Sequence, residues 1–193
     1  MRPLPFVWPY APVFWVAFAW AFWPEFRIVR RAQRSADVKD ARSLQVILFA
    51  QGGASLAAWP LAWVRALQFP WPQGGVFFAG VAILIAGSLL RRHCWRMLGS
   101  SFTGDVRASA EQAIVTRGAY SILRHPAYTA GILMNTGFGI ALGSWASAGV
   151  LAVATTAGYL YRIAVEERAL VGALGEPYRE FMRTRKRLIP FVY

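Results

Sequence analysis

The chain has 193 residues, 56% of them hydrophobic, and a formal net charge of +12 carried almost wholly by arginine, with Lys39 and Lys186 its two lysines. A soluble domain is closer to half apolar, so length allows one domain, residues 1–193, and composition makes it a membrane domain. The charge does not point to nucleic acid, because the cations lie in loops between apolar runs rather than on one face of a soluble fold; the lone Cys94 excludes an internal disulfide.

A bilayer core of roughly 30 Å takes about 20 apolar helical residues. Residues 6–26, FVWPYAPVFWVAFAWAFWPEF, supply the first span. Ala17-Phe18-Ala19 resembles a signal-peptide cleavage triplet, but the run continues through aromatics to Glu25 and ends at RIVRR, the pattern of a retained span. Residues 44–67 form the second, with Pro60 tolerable as a kink. FPWPQ (69–73) turns the chain into a third span, 75–90, whose helix continues into RRHCWRML. Between Ala127 and Tyr161 there is no charged residue, yet Gly143-Ser144 interrupts the stretch. That length suits a fourth and a fifth span folded as a helical hairpin, with Gly131, Gly137, Gly139, Ala146, Ala148 and Gly149 allowing close approach. The expected fold is therefore all-α, a polytopic membrane helical bundle of about five transmembrane helices. Four crossings with one re-entrant segment is the alternative.

Orientation follows from the basic residues. With five spans, segments 27–43, 91–126 and 162–193 share one side and hold 19 of the Lys and Arg residues, leaving Arg2 and Arg65 opposite. The amino terminus is expected outside and the carboxyl terminus in the cytoplasm. RGAYSILRHPAY (117–128) then faces the cytoplasm at the start of the hairpin, and YRIAVEERALVGALGEPYREFMRTRKRLIP (161–190) at its end.

Each stretch has a plain explanation. Arg162 and Glu166, four apart on one helical face, suit an ordinary ion pair. Tyr120, Arg124 and Tyr128 suit interfacial anchors, His125 suits a cap before Pro126, and RTRKR (183–187) suits a lipid-facing basic surface. Their convergence on one membrane face is the stronger observation. Polar groups gathered where a helical bundle meets water make a small-molecule site, one able to hold a charged cofactor and a lipid-embedded partner.

GAYSILRHPAY resembles the G-x-Y-x-x-x-R-H-P-x-Y signature of the isoprenylcysteine carboxyl methyltransferase and phospholipid methyltransferase group. LGSSFTGDVRASAEQAIVTRGAY is similar to the isoprenylcysteine branch, and R-x-x-x-E-E (162–167) followed by GEPYREFMRTRKRLIP resembles the closing motif. The resemblance covers about residues 95–190, the signature-bearing half, and leaves spans one and two without a signature.

The resemblance implies S-adenosylmethionine as methyl donor, bound at the cytoplasmic face of a helical bundle rather than by a Rossmann-like fold; no G-x-G-x-x-G is present. By motif, Gln112, Ala113, Ile114, Val115, Tyr120, His125, Pro126, Ala127, Tyr128 and Glu166 are implied cofactor contacts, with Asp105 a looser match. Arg162 is the implied substrate-binding arginine, so Arg162 and Glu166 form the expected catalytic pair. Many relatives carry histidine at the position of Gln112, which backbone contacts would survive. No metal is called for.

These residue types suit the chemistry. A carboxylate such as Glu166 pairs with an ammonium, and tyrosine rings offer a face to adenine or a sulfonium. Methylating a carboxylate needs orientation and exclusion of water but no general base. Methylating an amine needs a proton acceptor, for which Glu166 or Glu167 is the candidate.

The expected function is carboxyl O-methylation of a prenylcysteine-like lipophilic acceptor. The alternatives are N-methylation of phospholipid head groups and a non-catalytic membrane protein retaining the fold. The arginine-rich composition points to a prokaryotic cytoplasmic membrane, where a lipid-linked acid other than a prenylated protein is a further expected acceptor.

Overall fold

The structure, a computed structural model, describes residues 2–35, 38–99 and 114–189. Its elements in chain order are helices α1 (Tyr10–Ser35), α2 (Val38–Trp63), α3 (Gln73–Leu98), α4 (Pro126–Ala141), α5 (Trp145–Leu174) and α6 (Glu176–Thr184). Short 3-10 turns at Leu4–Phe6, Arg65–Leu67 and Gly118–Ser121 punctuate them. Among the described residues β pairing is limited to two isolated bridges, Gln68 with Ser144 and Leu123 with Lys186. The fold is all-helical, as the apolar runs predict.

Among the described residues, three segments are long and apolar enough to cross a membrane: Ser43–Trp63, Gln73–Leu98 and Trp145–Leu174. The sequence predicts five spans, and α4 falls short of that measure. With 16 residues, α4 reaches only roughly 24 Å.

The hairpin predicted from Ala127 to Tyr161 is present. Gly143 (φ 81°) makes the left-handed turn after α4, a conformation that costs glycine little. Ser144 then caps α5, its hydroxyl accepting from the Ser147 amide at 3.2 Å. Close approach extends further than the hairpin. A Cβ on Gly139 would stand 2.5 Å from Ala148 Cα, as predicted between the two arms. Gly137 instead faces Leu84 and Gly80 on α3, and a Cβ at Gly149 would meet open space. Gly80 and Gly87 of α3 lie against the α4 backbone in the same way, so α3 and α4 form a second backbone-to-backbone seam.

Phe138 on α4 gathers the core at the Gly143 end. Its ring lies 5.2 Å from Phe18, 6.1 Å from Phe14 and 5.4 Å from Trp59, which joins α1 and α2 to the hairpin. Large apolar side chains also point outward, among them Phe49 (80% exposed) and Leu56 (76%). Water would penalise such a surface; a bilayer accepts it.

Candidate functional site

The RHP turn is built from the end of the chain backward. Leu123 bridges Lys186 in parallel. The Arg124 amide donates to Lys186 O at 2.7 Å, and the His125 amide to Arg187 O at 3.1 Å. Thr129 Oγ1 donates to Leu188 O at 2.7 Å. Arg124 Nη1 reaches the carbonyls of Met182 (2.6 Å), in the last turn of α6, and Arg185 (3.2 Å), just past it. Residues 182–188 thus lie as a strap across the turn before α4, which brings the two dense stretches of sequence to one end of the bundle.

Glu167, 4% exposed, is the hub beneath the strap. Its Oε1 lies 3.1 Å from His125 Nε2 and 3.0 Å from Arg124 Nε, and its Oε2 lies 3.0 Å from Arg187 Nη2. His125 occupies the N-cap position of α4, but its side chain makes no cap; it turns to Glu167 instead. RTRKR is therefore divided. Arg183 pairs with Glu176 and Glu180 on the exposed face of α6, while Arg187 folds inward to the hub, correcting the expectation of one lipid-facing basic surface.

Glu166 faces elsewhere. It is half-buried and accepts a hydrogen bond from the Tyr128 hydroxyl at 2.8 Å; among the described residues it forms no ion pair. The Tyr128 ring lies 4.7 Å from Tyr159 and 5.7 Å from His125. Arg162, 4% exposed, donates from Nη1 to Ser43 Oγ on α2, and its charge acts on the Tyr128 hydroxyl. Tyr128 therefore stands between Glu166 and Arg162.

The other predicted positions sort as follows. Tyr120 is buried in the Gly118–Ser121 turn, and burial pushes its hydroxyl far above the ordinary phenol range, so it stays neutral. Tyr178 of α6 behaves likewise, through burial first and then the nearby Glu166 and Glu167 carboxylates. Pro126 is buried at the first position of α4, where its missing N–H costs nothing. Ala127 is half-buried, and its carbonyl accepts from Arg91 Nη1 at 2.6 Å. Ile114 and Val115 are half-buried in an irregular stretch ahead of the turn. Asp105, Gln112 and Ala113 lie outside the described residues.

Glu167 had been named only as a candidate proton acceptor, and three contributors had not been singled out: Arg187, Ser43 and the Arg91–Glu25 pair. Arg91 holds the Glu25 carboxylate through Nε and, at 2.8 Å, through Nη2. A signal for that pair exists in the sequence, since a carboxylate inside an apolar run needs a partner in the membrane. Arg187 and Ser43 carry no such signal, because each gains its meaning only from distant chain segments.

Residues 80–172 match the model of the isoprenylcysteine carboxyl methyltransferase (ICMT) family. Protein-S-isoprenylcysteine O-methyltransferase B of Arabidopsis thaliana is 31% identical over 115 residues, 58% of this chain and 58% of the plant protein. Protein-S-isoprenylcysteine O-methyltransferase of Rattus norvegicus is 26% identical over 147 residues, 72% of this chain and 50% of the rat protein. The chain thus spans between half and three-fifths of these relatives. The solved structure of the eukaryotic intramembrane Ras methyltransferase ICMT superimposes with a TM-score of 0.63 at 21% identity, covering 80% of this chain and 63% of that one. The sequence match takes in the RHP turn, α4 and the Arg162–Glu167 stretch, and the fold match takes in most of the bundle around them. The helical region that carries this polar cluster is thus the part of the chain that is similar to the isoprenylcysteine carboxyl methyltransferase family, and its fold is that of the solved methyltransferase.

Proposed function

We propose that the chain is an integral-membrane methyltransferase that moves a methyl group from S-adenosylmethionine to the carboxylate of a prenylcysteine-like lipid. The observation that carries this reading is the difference between two adjacent carboxylates. Glu167 is neutralised by three basic side chains, whereas Glu166 takes one neutral hydroxyl and no cation among the described residues. A half-buried carboxylate so placed suits an ammonium group, such as that of the donor's methionine end.

When bound, S-adenosylmethionine supplies an electrophilic methyl group on a sulfonium. The residues of this chain supply position. Glu166 binds the ammonium, and the rings of Tyr128 and Tyr159, 4.7 Å apart, give an apolar wall that excludes water. Arg162, tethered by Ser43, presents a guanidinium able to hold an acceptor carboxylate bidentately. An ionised acceptor requires no base, which agrees with Glu167 being committed to His125, Arg124 and Arg187.

In this reading α1 to α5 all cross the bilayer, and the charge asymmetry sets the site on the cytoplasmic face. The arginine-rich composition favours a prokaryotic cytoplasmic membrane. The test is incubation of membranes with methyl-labelled S-adenosylmethionine and a panel of prenylated cysteine analogues and phospholipids. Label in a base-labile methyl ester supports the proposal. Base-stable label in phospholipid head groups, or no binding of S-adenosylhomocysteine by calorimetry, overturns it.

A further inference from the structure

Pro24 has no N–H, so the Trp20 carbonyl of α1 loses its helical donor. Inside a bilayer that carbonyl requires another. Arg92 provides it: Nη2 donates to Trp20 O at 2.5 Å, and the guanidinium lies 4.2 Å from the Trp20 ring centre. One turn earlier on α3, Ser88 Oγ donates to Ala21 O at 3.3 Å. Between them Arg91 forks onto Glu25. Ser88, Arg91 and Arg92 are spaced i, i+3, i+4, one helical stripe facing one stripe of α1.

Arg91 does more than close that stripe. Its remaining nitrogen, Nη1, donates to Ala127 O at 2.6 Å, and its guanidinium lies 5.2 Å from the Trp95 ring and 5.9 Å from the Tyr159 ring. One side chain, 9% exposed, thus touches α1, α3, α4 and α5. For stability alone, a buried ion pair is an inefficient device that well-packed apolar residues can match. A guanidinium fork differs in fixing several N–H directions at once. Here one direction ends on the carbonyl between His125 and Tyr128.

We propose that Arg91 is a positioning residue for the methyl-donor site: Glu25 holds its guanidinium so that Nη1 fixes the first turn of α4 and, with it, His125 and Tyr128. This rests on the reading of that site given above. Spans without a family signature thereby acquire a part in it, through Glu25.

The test uses the full chain in detergent or nanodiscs. In Glu25→Gln the fork loses its charge, and S-adenosylhomocysteine affinity by calorimetry falls about tenfold, the size of one charge-assisted hydrogen bond. Acceptor KM changes much less. Arg91→Lys, which cannot make the fork and reach Ala127 O together, behaves alike and serves if Glu25→Gln fails to fold. Ser88→Ala is the control: it removes an α1–α3 contact without touching Ala127, so it lowers the melting temperature and leaves affinity unchanged. Hydrogen exchange gives a readout independent of the donor. The Tyr128 and Thr129 amides, which donate to His125 O, exchange faster in Glu25→Gln and not in Ser88→Ala. If Glu25→Gln and Arg91→Lys lower melting temperature like Ser88→Ala but leave affinity and those amides as in the wild type, Arg91 is only a helix tie and the proposal falls. If the wild type binds no S-adenosylhomocysteine while those amides still respond, the donor reading fails and the positioning of α4 stands.

Discussion

Replacing Glu167 with alanine is the sharpest test of how the site is assembled. The carboxylate is 4% exposed and faces Arg124, His125 and Arg187 at 3.0–3.1 Å. Removing one partner of a fully buried ion pair costs about 3–5 kcal/mol, because the other is left uncompensated. Two features of the hub reduce that figure. The Arg187 side chain is 34% exposed and can turn to water, and Arg124 keeps the Met182 and Arg185 carbonyls. The expected loss is therefore about 2–3 kcal/mol, at or just below the bottom of that range. It falls on the strap rather than on the α3–α4 seam, which shares no partner with Glu167.

Hydrogen exchange reads that distribution directly. The Arg124 and His125 amides, bonded to Lys186 O and Arg187 O, lose protection in Glu167→Ala, while amides in the middle of α3 and α4 keep theirs. Protease cleavage after the strap's basic residues, Arg185 to Arg187, becomes faster at the same time. Glu167→Gln, which retains an acceptor oxygen but no charge, falls between alanine and wild type. The reasoning is refuted if Glu167→Ala leaves the two amides protected and the melting temperature unchanged, or if α3 and α4 open together with the strap.

Three further outcomes are expected. Glu166→Gln purifies and melts close to wild type, yet binds S-adenosylhomocysteine about tenfold or more weakly, as calorimetry will show; unchanged affinity removes Glu166 from the donor site. Arg162→Ala raises the acceptor KM more than it weakens donor binding in the labelled-methyl assay, and the reverse pattern reassigns that arginine. Gly80→Ala drives a Cβ into the Ala141 backbone and to 2.8 Å from Gly137 O, costing about 1–3 kcal/mol, whereas Gly52→Ala meets nothing within 4 Å and is neutral or stabilising in the same melts.

The helices were legible because a bilayer imposes a length on apolar runs, and the hairpin because Gly143-Ser144 supplies a left-handed turn and a cap in two residues. Gly137 shows where that logic stops. A small residue announces a close neighbour but not which one, and here the neighbour is α3 rather than the hairpin's other arm. The same limit applies to charge. Glu25 could be flagged from its apolar surroundings, but its partner Arg91 lies 66 positions away. Arg187 looked like part of an exposed basic run, and only the strap's return to Leu123 turns it inward. His125 was placed correctly at the start of α4, yet whether it caps the helix or serves Glu167 depends on residues 42 positions away.

Glu166 and Glu167 follow one another on α5, so helical geometry alone turns their side chains about 100° apart. That rotation divides their labour. Glu167 points to the strap and the RHP turn, where three basic groups consume its charge. Glu166 points toward Tyr128, where a neutral hydroxyl leaves the charge available. A site that must grip a cationic ligand needs one carboxylate of each kind, because a single group cannot both lock cations of the protein and attract a cation from outside. Tyr128 then marks the boundary, donating to Glu166 while the charge of Arg162 also acts on its hydroxyl. On the proposed reading, the order R-x-x-x-E-E on one helix places an anchor for an anion, an anchor for a cation and a structural rivet within two turns, and the strap from the carboxyl-terminal end seats the rivet.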